Sequence, residues 1–247
     1  MTYCVGLLLD AGLVMLSDTR TNAGVDNIST FGKTFVEEVP GDRVMVLLTS
    51  GNLAVTQAVW NRLQEGVMLG GETQTLSRLP TMFRAAQLVG AAVRQVYDAD
   101  GPALRAQGFG FDVAIMLGGQ IAGQAPRLFL IYAAGNFIEA TADTPFLQIG
   151  EHKYGKPILD RVLTPETPLA DGVTLALISM DSTLRSNLTV GLPIDLTVVR
   201  RDALAVTLRK RIDEGDPYFS FLRQRWSESL REAYRALPRP DWAELPQ

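Results

Sequence analysis

The chain has 247 residues, 47% of them apolar and 20% charged, and carries a formal net charge of −4. That length allows one large domain or two small ones, with a substantial buried core, and an acidic balance without any Lys/Arg block argues against a nucleic-acid surface. The single cysteine, Cys4, and the single histidine, His152, exclude an internal disulfide and a zinc site assembled from several Cys and His ligands of this chain.

Apolar runs at 3–9 and 13–16, split by Asp10-Ala11-Gly12, predict a hairpin, and runs at 33–39 and 43–49 around Pro40-Gly41-Asp42 predict a second. Val55, Val59, Leu63 and Val67 fall on one stripe of a helix expected over 52–67. A second helix is expected over 79–97, with Phe83, Leu88, Ala91 and Val96 among its apolar members. Strands follow at 112–117, 127–132, 137–140 and 146–149, then helices at 153–162 and 169–182. Strands at 195–199 and 204–209, a helix at 218–237 and a Pro-rich tail over 238–247 complete the chain. Hairpins, two helices, hairpins and two helices in that order suit an α+β fold, a four-layer αββα sandwich, as one domain over 1–247. Cys4 lies in an apolar strand and reads as a buried small hydrophobe; residues 223–231 carry both charge signs and read as a solvated helix face. With no signal peptide and no apolar run long enough to cross a bilayer, the expected compartment is the cytoplasm, without a membrane partner.

The residues that point to chemistry are Thr2, Asp18 and Lys33, spaced sixteen and then fifteen apart. Removal of Met1 would leave threonine at the N-terminus, where the hydroxyl attacks and its own α-amine takes the proton. The reference pKa of an α-amine, about 7.7–8.0, makes it a usable base near neutrality without a histidine. A cation from Lys33 favours the neutral amine and a developing alkoxide. Like charges ~4 Å apart repel by about 4 kcal/mol at an effective dielectric near 20, roughly three pKa units before screening. Asp18 holds Lys33 protonated and oriented. If the first strands pair as a hairpin and the third begins near Lys33, all three residues return to one end of the sheet.

Through Thr2, the run Ser17-Asp18-Thr19-Arg20-Thr21-Asn22-Ala23-Gly24, Lys33 and Ser50-Gly51, the chain resembles the proteasome β-type N-terminal-nucleophile hydrolases. Gly150-Glu151-His152-Lys153-Tyr154-Gly155-Lys156-Pro157 and Ser179-Met180-Asp181-Ser182-Thr183-Leu184-Arg185-Ser186-Asn187 are similar to the bacterial ancestral β-subunit branch, Anbu. The resemblance implies the αββα fold and threonine-peptidase chemistry. It implies Thr2 as nucleophile, Asp18 and Lys33 as activators, and the Gly51 N–H as oxyanion donor. Asn22 and Gly24 would flank a bound peptide, and Asp181 and Ser186 correspond to the Asp and Ser that complete the usual site. It further implies self-association into a ring or ring-like homo-oligomer acting on a peptide or amide, with no cofactor; nothing in the sequence identifies a partner ATPase. The chain departs from the wider pattern in three places. Lys33 comes one residue early, so the deletion is expected in a loop over 25–30; Glu151 stands where a serine is usual, and Asn22 where a threonine is common.

Three functions follow: a threonine peptidase, an assembly protein of the same fold with little turnover, and an amidase acting on a small molecule. Trp60, Met68, Met82 and Val89 are apolar beyond one narrow stripe, so the helical faces are expected to carry the oligomer contacts unless the two helices bury these residues against each other. Lys33→Ala is expected to cost activity far more than stability.

Overall fold

A computed structural model describes residues 2–22 and 28–240. Six strands come first: β1 (Tyr3–Leu9), β2 (Gly12–Asp18), β3 (Arg20–Asn22), β4 (Ile28–Thr30), β5 (Thr34–Val39) and β6 (Arg43–Gly51). Helix α1 (Leu53–Glu65) follows, then the small hairpin of β7 (Val67–Leu69) and β8 (Glu72–Gln74), then α2 (Met82–Ala106). Next come β9 (Val113–Ile121), β10 (Arg127–Ile131), β11 (Phe137–Glu139) and β12 (Phe146–Gly150). The remaining elements are α3 (Lys156–Val162), α4 (Leu169–Ser186), β13 (Ile194–Arg200), β14 (Leu208–Ile212) and α5 (Pro217–Ala236).

Two five-stranded sheets form, in the orders β12-β1-β2-β13-β14 and β11-β10-β9-β6-β5. Strand alternation sorts their side chains between three apolar layers. From β6, Val44, Val46 and Leu48 meet Cys4, Leu13 and Met15 between the sheets, while Met45 and Leu47 turn outward beneath α1 and α2. On the other sheet Tyr3, Val5, Leu7, Val14 and Leu16 pack under α3–α5, against Leu159, Leu177, Met180 and Phe219. The result is the α+β, four-layer αββα sandwich expected of the chain. Among the described residues no helix is long and apolar enough to cross a membrane.

Several boundaries differ from the sequence expectation for identifiable reasons. Helix α1 stops at Gly66, whose φ of +111° ends it, so Val67 is buried in β7 rather than on the helical stripe. Helix α2 runs on through Gly101-Pro102 because Leu104 in its last turns still packs against the core beneath it. Strand β14 begins later than expected, since Asp202 and Leu204 take positive φ in a longer turn. Asp202 there bonds Gln120 across the sheets. The apolar surplus assigned to the helical faces is mostly internal: Met82 and Val89 are fully buried, and Trp60 stacks on Phe35 at 4.9 Å. Met68 does stay exposed.

Candidate active site

The register of the first sheet places the site. Strands β1 and β2 pair with Cys4 opposite Ser17, so Thr2, just before β1, lies beside the end of β2 where Asp18 stands. Lys33 immediately precedes β5 and is held there by its carbonyl, which accepts from the Thr49 N–H at 3.0 Å. Its Nζ donates to Thr2 Oγ1 at 2.7 Å, Asp18 Oδ1 at 2.7 Å and the Arg20 carbonyl at 2.6 Å. These are three acceptors for the three donors of an ammonium. Thr2, Asp18 and Lys33 are all buried, so the ion pair keeps the cluster neutral where an unpaired charge is costly.

Burial pushes the Asp18 carboxyl above its ordinary range, opposed by the Lys33 ammonium and by the Tyr3 and Gly191 amides. Those amides reach Asp18 Oδ1 and Oδ2 at 3.2 and 3.3 Å. The early position of Lys33 therefore does not turn it away from the cluster. Of the connection expected to absorb the missing residue, Ile28–Thr30 is strand β4 rather than loop, and 25–27 lie outside the described residues.

A cavity of about 450 Å³ opens beside Thr2, lined from both sheets and the first turn of α1: Thr2 and Gly150 on one side, Thr49, Ser50, Gly51 and Ala114 on the other, and Leu53 and Thr56 from the helix. Gly51 has φ +108°, and a Cβ there would meet the Asp112 carbonyl oxygen at 2.2 Å. Glycine is required at this corner, where the strand turns its backbone toward the cavity. Asn22 also lines the cavity. Its Nδ2 donates to the Thr189 carbonyl at 3.1 Å, while its Oδ1 and the neighbouring Thr21 Oγ1 are buried without a partner among the described residues. Gly24 lies outside the described residues.

Asp181 and Ser186 are not brought into this cluster. Asp181 is buried in α4 with its carboxylate bonded to Arg223 Nε at 2.6 Å and Arg185 Nε at 3.2 Å, and Ser186 is the exposed last residue of that helix. Arg223 is thus an anchor rather than part of a solvated face. The contacts near the site come from the next turn of chain. Asn187 Nδ2 donates to Glu151 Oε2 at 3.0 Å, the Leu188 carbonyl accepts from Arg20 and the Thr189 carbonyl from Asn22, and Gly191 N–H reaches Asp18. The Asn, Thr and Gly that follow the helix end were the available signal for such a loop. His152 is exposed and turned to the Gly150 carbonyl. Cys4 is buried, with its thiol pushed up by that burial.

No family model and no curated protein sequence matches the chain. Solved structures do. A Gly-1 mutant of Anbu from Hyphomicrobium sp. strain MC1 is 51% identical with a TM-score of 0.90, over 98% of this chain and 100% of the other. Anbu (ancestral beta-subunit) from Yersinia bercovieri is 47% identical, with the same TM-score of 0.90 and the same coverage, 98% and 100%. A structure described as the helical assembly of the Anbu complex from Pseudomonas aeruginosa is 48% identical, TM-score 0.90, again over 98% and 100%.

Proposed function

Because the chain belongs to the Anbu family of proteasome-like ancestral β-subunits, we propose that it is a self-assembling N-terminal-nucleophile hydrolase whose processed Thr2 cleaves a peptide or related amide. The observation that carries this reading is the 2.7 Å hydrogen bond from Lys33 Nζ to Thr2 Oγ1, with Asp18 at 2.7 Å behind it. Once Met1 is removed, Thr2 Oγ1 attacks the amide carbonyl carbon while the α-amine takes its proton. The Gly51 N–H, on the cavity wall, receives the oxyanion of the tetrahedral intermediate at little reorganisation cost. The amine then protonates the leaving nitrogen, the C–N bond breaks, and water hydrolyses the resulting ester to free Thr2. Asn22, whose Oδ1 has no partner among the described residues, is suited to pair with the substrate backbone, as is Gly24 by the resemblance.

The assembled state follows the helical assembly of the Pseudomonas relative. Light scattering at micromolar concentration tests it: a mass near the 27.0 kDa of one chain at every dilution would exclude the assembled state. A second reading, an assembly protein with little turnover, is favoured by the carboxylate of Glu151 where a serine is usual in the wider proteasome pattern.

The chemistry is tested by intact mass together with a β-lactone probe. Loss of one methionine and a single lactone adduct on Thr2 are expected. Retention of Met1 removes the base and ends the nucleophile reading, while peptide-library turnover separates peptidase from small-molecule amidase.

A further inference from the structure

Glu151 is a buried carboxylate that the proposed chemistry leaves unused. The β1–β12 register pairs Tyr3 with Gly150, and one step further the Glu151 N–H donates to the Thr2 carbonyl at 2.7 Å. Glu151 therefore follows directly on the β1–β12 ladder, and its backbone lies against that of Thr2. Gly150 between them has φ +81°, and a Cβ there would lie 1.9 Å from the Thr2 carbonyl oxygen, so close approach of the two segments is built in. The carboxylate accepts one neutral hydrogen bond, from Asn187 at 3.0 Å. Its nearest cation among the described residues, Lys153, is 3.9 Å away with its side chain 73% exposed. A buried anion with so weak a counter-charge stands beside the residue that gains a positive charge when Met1 leaves.

We infer that the Glu151 carboxylate is the counter-ion of the processed Thr2 α-ammonium, a positioning residue that holds the amine and sets the pH at which it becomes a base. This rests on the reading of Thr2 as a free N-terminal nucleophile. Among the described residues, the other charged or titratable groups near Thr2 supply no equivalent anion. Asp18 and Lys33 neutralise each other, and Arg20 is turned to the Leu188 carbonyl. Asp112 lies exposed on the cavity wall, His152 is turned to Gly150, and burial keeps the Cys4 thiol and Tyr3 phenol neutral. A carboxylate favours the ammonium, so it delays the appearance of the free amine to higher pH.

The experiment measures the pH dependence of Thr2 acylation by a β-lactone, followed by intact mass. Thr2 Oγ1 bonds to the lactone carbonyl carbon as the ring C–O bond opens to an alcohol, so the adduct carries the whole mass of the probe. In Glu151→Gln, which still accepts from Asn187, the midpoint is expected to fall by about one pH unit. Glu151→Ser should give the same direction through a smaller neutral side chain that cannot overpack, which guards against a misfolded glutamine variant. Glu151→Asp, which keeps the charge, should stay within about half a unit of the parent. Neutral variants that share the parent's midpoint, with Met1 removed and the adduct on Thr2, overturn the role of Glu151 and leave the nucleophile standing. A parent that retains Met1, or takes no adduct, overturns the nucleophile reading and this inference with it.

Discussion

Asp18 and Asp181 each bury a carboxylate against basic side chains: Lys33 at 2.7 Å for the first, Arg223 at 2.6 Å and Arg185 at 3.2 Å for the second. The difference lies in where the cation's remaining donors go. Lys33 spends one on Thr2 Oγ1, so its charge is delivered to a hydroxyl at the edge of a cavity. Arg223 comes from α5, so the pair on Asp181 joins α5 to α4. A buried ion pair by itself is therefore no mark of an active site; the third partner decides its use.

The largest effect is expected at the proposed nucleophile. Thr2→Ala should abolish acylation and any hydrolysis while folding and assembly persist, whereas Thr2→Ser should retain part of both. Lactone labelling and turnover read this directly, and an alanine variant as active as the parent would remove Thr2 from the site.

Next comes Lys33→Ala. A surface lysine would leave the melting curve alone, but Lys33 is only 4% exposed, so the expectation that activity falls far more than stability gives way to a loss of both. Stripping the cation from a buried carboxylate costs about 3–5 kcal/mol unless Asp18 takes up a proton instead. Acylation should fall by about 100-fold or more and Tm should fall with it. A melting curve like the parent's would mean that Asp18 tolerates burial without its partner.

Gly51→Ala should cost about 1–3 kcal/mol through the positive φ alone and slow acylation by displacing the proposed oxyanion donor. Retained labelling alongside a lowered Tm would detach Gly51 from the chemistry. On the other side of the comparison, Arg223→Ala should leave lactone labelling unchanged while exchange protection in α5 falls, because the clamp on Asp181 and the guanidinium's contact with the Phe219 ring are lost, both away from the cavity.

The smallest effect concerns Asp216, which caps α5 by accepting from the Phe219 N–H at 2.9 Å. Its hydrogen bond from Lys210, then that from Phe219, holds its carboxyl below the ordinary value of 3.8. An acid whose folded value is depressed contributes stability above its unfolded value and loses it as pH falls through the folded one. The cap should thus persist through pH 3.8 and release α5 only below it. Asp216→Ala should cost about 1 kcal/mol at neutral pH, or about 2–4 °C in Tm. Loss of exchange protection in α5, relative to intrinsic amide rates, while the pH is still well above 3.8 would contradict this.

The layered fold was legible because period-two runs and four-residue stripes report which faces are apolar, and those faces must be covered. Where it was misread, a backbone or a distant side chain intervened. Gly66 ended a helix whose stripe continued to Val67, and the core beneath α2 carried that helix past Gly101-Pro102. Thr2, Asp18 and Lys33 could be picked out because each has a defined chemical job and their spacing suits strands that run out and back. Asp181 enters only through the resemblance, and it lies in the α4–α5 clamp, because a local motif does not say which arginine a carboxylate will meet. The Glu151–Thr2 pairing and the 187–191 loop depend on contacts between residues some 150 positions or more apart. Local propensity carries no information at that range. The sequence by itself therefore determined the layers and singled out Thr2, Asp18 and Lys33, since these follow from side-chain pattern and chemistry. Which buried charges stand at the cavity and which join helices was decided only by the tertiary structure, through the register of β1 against β2 and the packing of α5 on α4.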